Sequence, residues 1–99
     1  MTIQTQLDES TLTMEIEGRI DTLTSSELAK AVEELPENIT SLILDFTKVF
    51  YLSSAGLRVI LMAQNRMNAK NGGMVIRGAS KNILGVFKVT GFDSFLTFE

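Results

Sequence analysis

The sequence predicts an α/β fold: a single mixed sheet of about five strands, mostly parallel, packed with about three α-helices in the order β-β-α-β-α-β-α-β. Three observations carry this. Thr11 to Glu17 alternates strictly, with Leu12, Met14 and Ile16 on one side and Thr13, Glu15 and Glu17 on the other, as a half-buried strand does. Leu42-Ile43-Leu44 and Met74-Val75-Ile76 are short continuous apolar runs of the kind that a strand buried on both faces requires. Between and after these runs, apolar residues recur at helical spacing, and each such segment ends at a strong stop: Pro36, Asn71-Gly72-Gly73 and Gly91.

In chain order, Thr2 to Leu7 is a first strand, and Asp8-Glu9-Ser10 turns it into the alternating one, so the two form a hairpin. Gly18 ends the second strand, and Arg19 to Leu23 is a loop in which Asp21 caps or hydrogen-bonds the turn. Thr24 and Glu27 make a capping box for a helix with Leu28, Ala31, Val32 and Leu35 on one face. A central strand covers Leu42 to Leu44 and continues over Val49 to Leu52. The next helix runs from the Ser53-Ser54 pair to about Lys70. Its stripe of Gly56, Val59, Ile60, Ala63 and Met67 suits the sheet, whereas Leu57, Leu61 and Met62 fall outside that stripe. These three either form a docking surface beside the serines or lie under another helix. Ser80 caps a last helix from Lys81 to Thr90, and Phe95 to Phe98 reads as a final strand.

Ninety-nine residues fit one domain, 1–99, with a core that needs no staples. Hydrophobic residues at 44% with a single Pro exclude disorder, and no apolar run approaches the ~20 residues that span a bilayer. The start of the chain lacks the basic flank and apolar stretch of a secretory signal, so the expected compartment is the cytoplasm, without direct membrane contact. With neither His nor Cys, triads that use His, thiol nucleophiles and the commoner zinc sites are excluded. A net charge of −3 with scattered Lys and Arg offers nucleic acid no surface to track. No glycine-rich phosphate cradle opens a helix, and Glu33-Glu34 lies on a solvated face, so neither a cofactor nor catalysis is expected.

The informative stretch is 41 to 64, and within it Ser53-Ser54-Ala55-Gly56. A helix N-terminus has unpaired N–H donors and a partial positive charge, so both serines are placed to cap it. The same position favours an added phosphate, which brings about −1.5 to −2 charges onto an otherwise uncharged spot.

The order of elements, the Gly-Arg-Ile-Asp segment at 18 to 21, the stretch Leu42 to Leu57 and the Gly-Phe turn at 91 to 92 resemble the STAS domain, the fold of bacterial anti-sigma factor antagonists. The resemblance covers nearly the whole chain. Its most specific part is Tyr51-Leu52-Ser53-Ser54-Ala55-Gly56-Leu57-Arg58, since family members carry a phosphorylatable serine two residues before a glycine at the start of the second helix. By that match Ser54 is the phosphoacceptor, and Ser53 stands where sporulation-type members usually have Asp. The chain also stops without the final helix that many antagonists have.

What the resemblance implies is partner switching. An anti-sigma factor that is also an ATP-dependent serine kinase binds the unphosphorylated antagonist, phosphorylation breaks the complex, and a metal-dependent serine phosphatase restores it. Asp21, Ser53, Gly56, Leu57, Arg58 and Leu61 are then expected at the docking surface, on a monomer or weak dimer. The alternative is a constitutive STAS interaction module, such as the small subunit of a lipid-transport ATPase complex, in which Ser54 is only a cap.

Overall fold

The computed structural model describes all residues from Met1 to Glu99. Strands β1 (Thr2–Asp8) and β2 (Thr11–Ile20) form an antiparallel hairpin in which Ile3 faces Ile16 and Leu7 faces Leu12. Glu9 makes the turn with φ of 56°. Helix α1 (Ser25–Glu33) leads to β3 (Ser41–Leu52), which lies parallel to β2. Helix α2 (Ser54–Ala69) then leads to β4 (Gly73–Arg77), parallel to β3. Helix α3 (Lys81–Thr90) and a 3-10 turn (Phe92–Ser94) close the chain. The sheet order is β1-β2-β3-β4, so each crossover advances to the neighbouring strand. Right-handed crossovers in one direction place their helices on one face.

That face is the core. Leu12, Met14 and Ile16 of β2, Leu42, Leu44 and Phe46 of β3, and Met74 and Ile76 of β4 meet Leu28 and Val32 of α1, Ile60, Ala63 and Met67 of α2, and Ile83 and Phe87 of α3 in one contiguous cluster. The opposite face has no helix. Ile43 and Val75, expected from the apolar runs to be buried, are half-buried there beside exposed Glu15 and half-buried Asp45 and Arg77. An apolar run at the centre of a sheet therefore marks a strand flanked on both edges, without requiring both faces to be covered.

The sheet has four strands instead of about five. The segment read as a final strand is reduced to one parallel bridge between Phe98 and Ile76, with Ile76 N–H donating to Thr97 O and Glu99 N–H to Ile76 O, both at 2.9 Å. The turn at Phe92–Ser94 separates α3 from this bridge.

Gly18 does not end β2. With φ of +109° it sits in an irregular stretch where the β2–β3 register shifts between Glu15 and Glu17 and again between Gly18 and Arg19. A bulge takes in extra residues and bends the strand without breaking it. The same shifts explain β3, where Thr47-Lys48 and Phe50-Tyr51 are consecutive exposed pairs between buried Phe46, Val49 and Leu52. β3 is continuous from Ser41 to Leu52, so Asp45 to Lys48 are strand as well.

Three ends of helices follow the sequence closely. Ser80 Oγ accepts from Ile83 N at 3.2 Å, and Gly91 closes α3 with φ of 82°. Asn71, at φ of 58°, takes the left-handed position after α2, and Gly72 N–H bonds Met67 O at 2.8 Å. The capping box does not form. Thr24 is itself helical, at φ −79° and ψ −20°, and makes no side-chain cap.

Phe87 anchors α3, with ring centroids 6.2 Å from Phe46 and 5.2 Å from Phe98. It is fully buried, whereas Val89 on the same helix is 89% exposed. Phe87→Ala is expected to lower the unfolding free energy by about 3–5 kcal/mol and Val89→Ala by about 0.5 kcal/mol or less, read from urea denaturation.

Candidate switch site at the mouth of the second helix

The end of β2 and the start of α2 are tied together. Ser53 N–H donates to Ile20 O at 2.9 Å, Ser53 Oγ accepts from Gly56 N at 3.2 Å, and Leu57 N–H bonds Ser53 O at 3.0 Å. Ser53, extended at φ −91° and ψ 171°, is therefore the N-cap of α2. Ser54 is the first helical residue. It is exposed, and its hydroxyl makes no hydrogen bond within the chain. Of the two serines, one is committed to the cap and the other is free.

Asp21 follows Ile20 and organises the adjoining loop. Its Oδ1 accepts from Leu23 N at 3.0 Å, Thr24 N at 2.9 Å and the Thr24 hydroxyl at 3.1 Å. Thr24 Oγ1 in turn accepts from Asp21 N at 2.8 Å and lies 2.7 Å from Arg19 O. Thr24 thus spends its side chain on the loop, which is why it does not cap α1. The Thr24 N–H, helped by the Thr24 hydroxyl, Leu23 N–H and the Arg19 charge, holds the Asp21 carboxyl below its usual range against the opposing effect of desolvation. Arg19 lies 3.7 Å from Asp21 Oδ2 and stacks over Tyr51, 4.1 Å from the ring centroid. An exposed pair of this kind adds little stability, so its effect is to hold Arg19, Asp21 and Tyr51 in one arrangement.

Two residues expected at the surface are not there. Leu57 is only 6% exposed and belongs to the core, and Gly56 is buried with it. A Cβ at Gly56 would lie 2.6 Å from Ile20 Cγ2 and 2.7 Å from Leu52 Cδ1, so the glycine serves close packing of α2 on β2 and β3. The helical projection failed at Leu57 because α2 packs against α1 as well as against β3 and β4, so the stripe that faces the sheet is not its only buried side. Leu61 and Met62 are half-buried, and Arg58, one turn beyond Ser54, is exposed. The exposed apolar groups nearest in chain to this site are Leu23, at 82%, and Tyr51, at 41%. Neither was singled out from sequence, although a leucine inside a polar turn, Asp21-Thr22-Leu23-Thr24, was a readable signal.

A second carboxylate cluster sits on the open face of the sheet. Partial burial pushes the Asp45 carboxyl up, but hydrogen bonds from Thr47 Oγ1 (2.6 Å) and N (2.9 Å) and the Arg77 charge at 3.5 Å outweigh it and hold it down. No group of His, Cys, Asp or Glu is arranged to hold a metal ion, and no helix is long and apolar enough to cross a membrane.

The chain is thus a one-faced α/β sheet with a free serine at the mouth of its second helix. The family profile described as "Mlab, STAS domain" matches residues 3–97, so this chain belongs to the STAS domain family. It is similar to the anti-sigma-B factor antagonist of Listeria monocytogenes, with 29% identity over 83 residues, 82% of this chain and 72% of that protein. Among solved structures it resembles an anti-sigma factor antagonist from Mycobacterium paratuberculosis, with a TM-score of 0.81 and 22% identity over 98% of this chain and 83% of that one. It also resembles the anti-sigma factor antagonist SpoIIAA in its unphosphorylated form, with a TM-score of 0.74 and 16% identity over 99% and 87%. The Bacillus SpoIIAA in its phosphorylated form matches too, with a TM-score of 0.69 over 99% and 91% at 16% identity.

The two serines separate experimentally. Ser53→Ala is expected to destabilise the fold by about 1 kcal/mol through loss of the cap, and Ser54→Ala to leave it unchanged in the same denaturation assay. For Asp21 the folded carboxyl titrates below its ordinary 3.8, so its stabilisation is complete above that pH and is lost as pH falls through the lower folded value. The stability gap between the wild-type chain and Asp21→Asn should therefore be constant near neutrality and shrink below pH 3.8.

Proposed function

We propose that the chain is an anti-sigma factor antagonist that binds an anti-sigma factor with serine-kinase activity and is released by reversible phosphorylation of Ser54. The observation that carries this reading is the exposed, unbonded Ser54 hydroxyl beside a cap that Ser53 already supplies. Because the cap is independent, Ser54 is available for modification at no structural cost. The kinase transfers the terminal phosphoryl group of ATP to Ser54 Oγ, with ADP leaving and the hydroxyl proton lost. The phosphatase returns the hydroxyl by hydrolysis. The chain is substrate and ligand in this exchange, which belongs in the cytoplasm, and performs no catalysis itself.

The physics of release is local. The helix N-terminus accommodates the phosphate in the free chain, and Arg58, four residues on, is placed to pair with it. In a docked complex the same dianion must be desolvated at the rim of the interface. Each 1.4 kcal/mol of that penalty weakens binding about tenfold. With Leu57 inside the core, the apolar part of the docking surface passes to Leu23, Tyr51 and the half-buried Leu61, around Asp21, Ser53, Ser54 and Arg58.

Two observations favour a second reading, a constitutive STAS module such as the small subunit of a lipid-transport ATPase complex. The matching profile is described as Mlab, STAS domain, and Ser53 occupies the position where the resembling sporulation-type antagonists have Asp. Incubation with the cognate kinase and ATP followed by mass spectrometry separates the two. The switch predicts phosphate on Ser54, partner binding retained by Ser54→Ala, and binding weakened at least about tenfold by Ser54→Asp. Copurification with an ATPase subunit that Ser54→Glu leaves intact supports the constitutive module instead.

A further inference from the structure

Strand β1 is a free edge of the sheet, since it pairs with β2 on one side only. Edge strands are normally guarded by Lys, Pro, a bulge or a covering element. Residues 2 to 7, Thr-Ile-Gln-Thr-Gln-Leu, contain no charge and no Pro, and the β1–β2 register runs unbroken from Thr2 to Asp8. Every residue of β1 except Ile3 is exposed. Beside this edge, between β1 and α1, lies a hollow of about 490 Å³ whose lining is mainly apolar, with Ile3, Leu7, Leu12 and Leu35, but includes Thr5 and Glu34; Leu7 is 51% exposed.

The hairpin fixes which backbone groups are free. With only Glu9 and Ser10 in the turn, Asp8 and Thr11 form the closing hydrogen-bonded pair. Alternation then turns the N–H and C=O groups of Thr2, Gln4 and Gln6 towards β2, and those of Ile3, Thr5 and Leu7 outward.

We infer that this edge takes a second copy of the chain through antiparallel β1–β1 pairing centred on Thr5. In that register Thr5 faces the partner's Thr5 and Ile3 faces the partner's Leu7, so every outward donor meets an acceptor and the contact is self-complementary. A shift by one residue would set outward groups against inward ones and send the apolar side chains to opposite faces. The absence of charge over residues 2 to 7 selects the occupant: this stretch meets its own copy without like-charge repulsion, Asp8 falling opposite a threonine in that register, and it offers a charged foreign strand no complement. The two-fold axis stands perpendicular to the sheet, which keeps both α1 helices on one face and joins the two hollows over Ile3 and Leu7 of each copy. Ser54 follows β3, two strands away from β1, so both switch sites of the dimer stay open.

The full chain should show, by sedimentation, a molar mass that doubles with rising concentration across the micromolar to millimolar range. Thr5→Pro, which removes an N–H that β2 does not use, and Leu7→Lys, at a half-exposed position, should both remain folded monomers by circular dichroism and sedimentation. Since the chain has no Cys, Thr5→Cys supplies a direct reading. Narrow antiparallel pairs lie about 5.5 Å apart at Cα, within disulfide reach, so two thiols facing each other and oxidised by glutathione disulfide should form a covalent dimer far faster than Asn82→Cys on exposed α3. A wild-type chain that stays monomeric throughout, a dimer that both edge variants retain, or equal cross-linking of the two cysteine variants would each overturn the inference.

Discussion

The structure depends on how closely α2 approaches the end of β2. Gly56 allows it: the helix's first turn lies against Ile20 and Leu52 where no side chain would fit, and Ser53 N–H closes onto Ile20 O. From this contact the rest of the site follows. Ser53 is held extended and caps the helix, Ser54 is carried outward, and Asp21 begins its loop one residue after the strand that the helix leans on. A site made in this way is a junction between a strand end and a helix start, and its precision comes from backbone contacts that no surface substitution disturbs.

Close packing at the junction also explains what reaches the surface. Leu57 is taken into the core by the same approach that seats Gly56, which leaves the helix mouth polar and moves the apolar component of any docking face to the Asp21 loop and to Tyr51. Arg19 links these two by stacking on Tyr51 and lying beside Asp21. Extra residues that β3 takes in against β2 are what turn Tyr51 outward while Val49 and Leu52 remain in the core. Strand irregularity and site geometry are therefore one feature.

Much of this was legible in the sequence. Alternation over Thr11 to Glu17, the stops at Asn71-Gly72-Gly73 and Gly91, and the cap at Ser80 reappear at their places, because each is set by local chemistry, whereas α1 ends at Glu33, short of Pro36, and leaves Leu35 outside the helix. The Ser53-Ser54 pair was legible as the opening of α2 through the same local chemistry, although only Ser53 caps it and Ser54 is already helical. The misreadings arose where a local signal met a longer-range partner. Gly18 has the composition of a terminator, yet pairing with Val49 carries the strand through it. Thr24 with Glu27 has the pattern of a capping box, but Asp21 and Arg19 engage the threonine first. Leu57 falls outside the stripe of a helix lying on a flat sheet, yet α2 also packs against α1 and Leu57 joins the core. Neighbours across the sheet decide these cases, and a linear pattern does not contain them.

The central claim is that charge added at Ser54 changes binding without changing the fold. Its most direct measurement compares the two-dimensional amide NMR spectra of the chain with and without phosphate on Ser54, with and without the partner. The account predicts shifts confined to the first turn of α2 and to the segment from Arg19 to Thr24, unchanged signals from Phe46, Ile60 and Phe87, and partner-induced broadening only for the unphosphorylated form. Shifts spread through the core, or equal broadening of both forms by the partner, would contradict it.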